Sequence, residues 1–126
     1  MKETGLRINL RDSVYEPGAT GGTILYDASL PDRARYRVWL YLDGPDLPYV
    51  KSVTYTLHPT FPDPVRTVPR SASNPYCAIA IWTWGTFDVV GDVEDKGGRR
   101  HVLKHNMGYD REITKDARYE KIQLER

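Results

Sequence analysis

Cysteine is almost absent from this chain: Cys77 stands alone among 126 residues, which excludes an internal disulfide and a zinc site built from several thiolates. It lies in the apolar run Tyr76-Cys77-Ala78-Ile79-Ala80-Ile81, which predicts a packed core thiol. Long hydrophobic runs are missing too. None approaches the roughly 18 apolar residues that a membrane span requires, and Met1-Lys2-Glu3-Thr4-Gly5 lacks the charged-then-apolar plan of a secretory signal. The expectation is a cytoplasmic protein with no membrane partner. Nor is there an excess of one charge: 18 basic and 17 acidic side chains leave a formal net charge of +1, so no global field draws the chain to nucleic acid. Catalytic signatures such as Gly-x-Ser-x-Gly, His-Glu-x-x-His or a Cys-His pairing are also lacking. The expectation is no enzyme and no cofactor.

What is present is turn-forming and β-forming chemistry. Nine prolines and ten glycines punctuate short alternating segments rich in valine, tyrosine, threonine and tryptophan, the pattern of an all-β sandwich. Strands are predicted over Leu6 to Leu10, Thr23 to Tyr26, Tyr36 to Leu42, Val50 to Leu57, Tyr76 to Trp82, Phe87 to Val93 and Arg99 to Asn106. The length suits one domain spanning residues 1–126, large enough to bury a core without staples. A flexible N-terminus and a densely charged tail from about residue 110 flank it. Within that tail Ile113, Ala117, Tyr119, Ile122 and Leu124 are the anchors, and a short helix, an edge strand or a frayed end all remain open. Neither internal repeats nor low-complexity tracts mark a second domain.

Side-chain parity refines the picture. Val53, Tyr55 and Leu57 share one face of their strand, which turns Thr54, Thr56 and His58 away from the core. Val38, Leu40 and Leu42 point inward by the same rule, leaving Arg37, Trp39 and Tyr41 on an outer face or under a loop. Asp43-Gly44-Pro45-Asp46 reads as a turn and Asp95-Lys96-Gly97-Gly98 as a hairpin connection. Glu16 to Gly22 reads as a mobile loop rather than a phosphate cradle, since the lysine and following helix are missing.

Other chemistry-bearing residues have bland readings. His101 and His105 share a strand face but lie about 13 Å apart at 3.3 Å per residue, too far for one zinc ion, so no metal site is expected. Asp88, Asp92, Glu94 and Asp95 sit on a solvated hairpin and are assigned no chemistry. Arg99-Arg100 with Lys96 and Lys104 forms a small basic patch, offset by nearby acids and without interleaved aromatic rings, a weak nucleic-acid signal.

The strongest local pattern is Leu57-His58-Pro59-Thr60-Phe61 after Val53-Thr54-Tyr55-Thr56, then Pro64-Val65-Arg66-Thr67-Val68, and later Trp84-Gly85-Thr86-Phe87. It resembles the YEATS domain, closest to its prokaryotic branch, over roughly Tyr36 to His105. The resemblance implies an immunoglobulin-like antiparallel β-sandwich. Eukaryotic readers of that family hold acetylated or crotonylated lysine in an aromatic slot at one end of the sandwich, without chemistry. Their motif reads Leu-His-x-Ser-Phe, so Thr60 replaces the serine, His58 and Phe61 match directly, and Trp84 supplies the second wall. The resemblance implies a ligand held by His58, Thr60, Phe61, Trp84 and the Gly85 region of the second loop, and a partner that is an acylated-lysine peptide or protein. Thr83 stands where the family usually has glycine and Pro59 stiffens the first loop. Pro31 to Arg35 offers no third aromatic wall, leaving Tyr36 as a shifted substitute.

Each site residue has a structural alternative: a core or edge-capping tryptophan for Trp84, a loop plug for Phe61, a local turn bond for Thr60. His58 is read as orienting Thr60. A rival reading is an adaptor domain that meets a protein partner at a sheet edge, because prokaryotic YEATS-like domains are associated with predicted defence and conflict systems alongside effector modules.

Overall fold

A computed structural model describes residues 6–19 and 22–123. The expectations for Met1 to Gly5, for Thr20 and Gly21 in the glycine-rich loop, and for Leu124 lie outside these residues. Among the described residues nine strands form: β1 (Asn9–Ser13), β2 (Ile24–Asp27), β3 (Arg35–Asp43), β4 (Val50–Thr56), β5 (Val65–Pro69), β6 (Ile79–Thr83), β7 (Asp88–Asp95), β8 (Arg100–Asn106) and β9 (Tyr119–Lys121). Two short 3-10 turns, Leu47–Tyr49 and Tyr109–Glu112, complete the order.

The strands build an all-β sandwich. One sheet centres on β3, whose Trp39 to Asp43 pair with β1 and whose Tyr36 to Leu40 pair with β6. β2 continues along the β1 edge, and β9 adds to β2 in parallel. The other sheet runs β5-β4-β7-β8, antiparallel throughout. Between the sheets lies one apolar cluster in which Val38, Leu40, Leu42, Val53 and Tyr55 are fully buried. These are the inward residues that the period-2 alternation demands. On the outer face Trp39 lies beside the Glu16 to Ala19 loop and Tyr76, and Tyr41 meets the Tyr76 ring edge-on at 6.4 Å.

The structure departs from expectation at several elements. The first strand runs Asn9–Ser13 rather than from Leu6, because the Asp12 carboxylate accepts the backbone N–H groups of Gly108 and Tyr109 and pairs with His105 Nε2 at 2.6 Å. β6 begins at Ile79 rather than Tyr76. Cys77, at φ +50, interrupts the extended chain ahead of it, and the Asn74 side chain clamps Ala78 through both its N–H and its C=O. β5 was not anticipated, and the charged tail resolves into the second 3-10 turn followed by β9. Cys77 is fully buried and its thiol is pushed up to about 11 by burial. His101 and His105 each face a separate carboxylate, Asp95 at 2.9 Å and Asp12 at 2.6 Å. Among the described residues no helix is long and apolar enough to cross a membrane.

Candidate functional site

At the pole where β4 and β6 end and β3 and β7 begin, two loops enclose a cleft of about 420 Å³. The first loop is built by local bonds: Leu57 N–H reaches Pro64 O at 2.7 Å and Phe61 N–H reaches His58 O at 3.0 Å. Arg66 donates to the carbonyls of Pro62 and Asp63, which staples the returning chain at Asp63, a residue with φ 50. His58 and Thr60 are exposed, as strand parity requires, and His58 Nδ1 lies 2.8 Å from Thr60 Oγ1. The same ring nitrogen accepts Thr60 N–H at 3.2 Å.

Phe61 is half-buried, and its ring packs against Phe87 at 5.3 Å between centroids. His58 meets the other part of that cluster, 6.1 Å from the Phe87 ring. Phe61 is therefore both plug and wall.

The second loop is held by hydrogen bonds of its own. Thr83 is buried, donates to Gly85 O at 3.0 Å and accepts Gly85 N–H at 3.3 Å. Tyr109 O–H donates to the same carbonyl at 3.2 Å, using its second lone pair. Trp84 is 59% exposed, which excludes the core reading for this tryptophan. Its ring carries the Arg33 guanidinium 4.3 Å from the centroid, and Arg33 is in turn forked onto the neighbouring Asp32.

Arg35, at the start of β3, also lines the cleft and bonds the buried Asp27 through Nε at 3.1 Å. Among the described residues no carboxylate lines the cleft. His58, Thr60 and Phe61 from the first loop and Trp84 and Gly85 from the second all line this cleft. Tyr36 does not: it packs between Tyr26 and Tyr109 at 6.4 and 6.3 Å. Phe87, part of the Trp84-Gly85-Thr86-Phe87 pattern, lines the cleft as well. Two contributors lie outside that pattern. Arg35 and Arg33 were passed over in a segment searched for an aromatic ring, although a guanidinium stacks on indole as well.

An all-β sandwich with an aromatic cleft between loops at one pole defines the structural class. A family model describing the prokaryotic YEATS domain matches residues 34–108, more than half of the chain, and the protein belongs to that family. Among solved structures, the Yaf9 YEATS domain of yeast recognising an H3K122suc peptide is similar at TM-score 0.56 and 18% identity, over 90% of this chain and 83% of that one. A second structure of the Yaf9 YEATS domain gives TM-score 0.53 and 19% identity over the same shares. At these identities the likeness establishes the fold. A comparison with curated proteins found no significant match.

Proposed function

We propose that the cleft captures a planar acyl group carried on a lysine-like amine, acetyl or crotonyl in kind, and makes or breaks no bond. The observation that carries this reading is the His58–Thr60 hydrogen bond beside the Phe61, Phe87 and Trp84 rings in one ligand-sized cleft. Stacking a flat amide or alkene on aromatic faces combines apolar burial with dispersion. Because Nδ1 accepts the Thr60 N–H, the ring proton sits on Nε2; the Thr60 hydroxyl then also donates to Nδ1, and its oxygen is left to accept the ligand N–H. A free ammonium would lose its hydration in a cleft without a carboxylate, so the neutral acylated side chain is preferred. Yaf9, similar in fold, is described as recognising a modified histone peptide, which supports the same use here.

Titration of the labelled protein with acetyl-lysine and crotonyl-lysine peptides tests this, with the unmodified peptide as control. Saturable amide shifts at Thr60, Phe61, Trp84 and Gly85 are expected only for the acylated peptides. Trp84→Ala should abolish them without unfolding, because so much of that side chain is already exposed. Undiminished binding by Trp84→Ala, or no shift in the parent protein, would sink the assignment.

A specific observation keeps the adaptor reading alive. Leu57 N–H bonds Pro64 O and Arg70 N–H bonds Lys51 O, so the alternation along β5 turns the backbone groups of Val65 and Thr67 outward. Val65 is 59% exposed. An edge of this kind accepts an added strand from a protein partner. Partner binding lost on Thr67→Pro but retained on Trp84→Ala would favour it.

A further inference from the structure

The opposite pole of the sandwich carries a second cavity with different chemistry. β7 runs from Asp88 beside the aromatic cleft to Asp95 at the far end, a span of about 23 Å at 3.3 Å per residue. The far cavity encloses about 890 Å³. Its walls come from three places: Arg7 ahead of β1, Tyr49 in the turn before β4, and Lys96 and Arg99 in the β7–β8 hairpin.

The charges here are unequally committed. Two carboxylates line the cavity, and both are spent on its frame. Asp46 accepts the Arg7 backbone N–H at 2.8 Å and its guanidinium at 3.2 Å. Asp95 accepts the N–H groups of Gly97 and Arg99 at 2.8 and 3.0 Å, while its other oxygen faces His101 Nε2 at 2.9 Å. Lys96 and Arg99 are exposed and have no acidic partner among the described residues. Beside them stands Tyr49, 62% exposed, whose carbonyl accepts the Lys96 N–H at 2.9 Å. An uncovered ring and two uncommitted cations are thus fastened to one another through the backbone.

We infer that this pole binds a nucleotide, with the phosphate held by Lys96 and Arg99 and the base stacked on Tyr49. An ammonium and a guanidinium without a carboxylate partner are strong charge-assisted donors to phosphate. A ring next to them is a stacking platform that tolerates any base. The cavity volume lies within the roughly 300–1,000 Å³ typical of small-molecule sites. A simple anion would leave the ring without a role, and an apolar ligand would leave the cations without one. The approach is open at the hairpin tip, where nothing lies within 4 Å of a Cβ placed on Gly98. The linear sequence hides this arrangement, because the aromatic residue comes from the turn before β4 rather than from among the basic residues.

The same chemistry reaches the protein as a free mononucleotide or as part of a single strand, and two titrations separate them: adenosine monophosphate and a short oligothymidylate. Inorganic phosphate is the third probe. Either nucleotide form should shift the amides of Tyr49, Lys96, Gly97 and Arg99 saturably while leaving Thr60 and Trp84 unmoved. The Lys96→Ala/Arg99→Ala double variant should bind at least about tenfold more weakly, the loss expected for hydrogen bonds to charged groups. Tyr49→Ala should weaken nucleotide binding but not phosphate binding. If the single strand is the ligand, neutralising the one phosphate held by Lys96 and Arg99 gives a log–log salt slope of about −0.7, against about zero for a contact that neutralises none. No shift with either nucleotide form overturns the inference, and so does inorganic phosphate binding as tightly as both.

Discussion

Replacing Tyr55 with phenylalanine removes one oxygen atom from the centre of the sandwich. The Tyr55 ring is fully buried and its hydroxyl donates to Cys77 O at 2.6 Å, and burial pushes the hydroxyl's pKa well above its ordinary value. This bond joins β4 in one sheet to the turn that launches β6 in the other. Phenylalanine keeps the ring contacts, so the cavity term is small, and the cost is that of a buried carbonyl left without its donor, about 1–3 kcal/mol. A domain of this size is stable by about 5–15 kcal/mol, and a loss of about 2 kcal/mol lowers its Tm on the order of 5–10 °C. Urea unfolding followed by tryptophan fluorescence measures it, with a lower midpoint and an unchanged slope expected. A loss below about 0.5 kcal/mol, the size of an ordinary surface substitution, would refute the reasoning by showing that the Cys77 carbonyl does not depend on this donor.

Three further substitutions probe the far pole. Hydrogen bonding from His101 and from the backbone of Arg99 holds the Asp95 carboxyl below its usual range, so its stabilisation is fully present above about pH 4 and is lost as pH falls through the depressed native value. Acid titration of unfolding should therefore show parent and Asp95→Asn converging below about pH 4, and a gap that stays constant with pH would contradict this. Gly44, at φ +129, has Arg7 O only 2.4 Å from where a Cβ would sit, whereas Gly98, at φ +86, has nothing within 4 Å. Gly44→Ala should consequently prevent stable folding or cost several times more than the roughly 1 kcal/mol expected for Gly98→Ala, and equal melting of the two variants would refute the steric argument.

The elements most legible in the sequence were those whose face is set by period-2 burial. Val38, Leu40 and Leu42, and Val53, Tyr55 and Leu57, all went inward as the alternation required. What stayed hidden depends on partners remote in the chain. The Asp12 side chain is 4% exposed, satisfied by donors arriving from Gly108, Tyr109 and His105, partners that no local pattern in the sequence announces. β5 is short and ends at Pro69, and an edge strand tolerates a proline that a central one would not. β9 is three exposed residues whose pairing is parallel to β2 and therefore leaves no local hairpin signal. At the cleft, His58, Thr60 and Phe61 were legible because they are neighbours on one loop. Arg33 and Arg35 were not, because sequence alone does not show that the chain entering β3 passes the Trp84 loop.

The residues that depart from the family pattern explain how the cleft is organised. Thr83, in place of the usual glycine, bonds Gly85 on both its N–H and C=O sides, so the departure stiffens this loop. Tyr109, one residue beyond the stretch matched by the family model, bonds the same carbonyl. Its own N–H is fixed by the buried Asp12 carboxylate at 2.8 Å. Glu112 then ties this turn to β1 through Ser13 and Val14. Three hydrogen bonds thus hold the backbone of the Trp84 loop, while the indole is exposed under the Arg33 guanidinium. On the proposed function, the ordering entropy of binding falls on one side chain instead of a whole loop, at about 0.5–1.5 kcal/mol for an immobilised side chain. Affinity gained by this cleft should accordingly follow what stacks on Trp84 rather than what rearranges around Gly85.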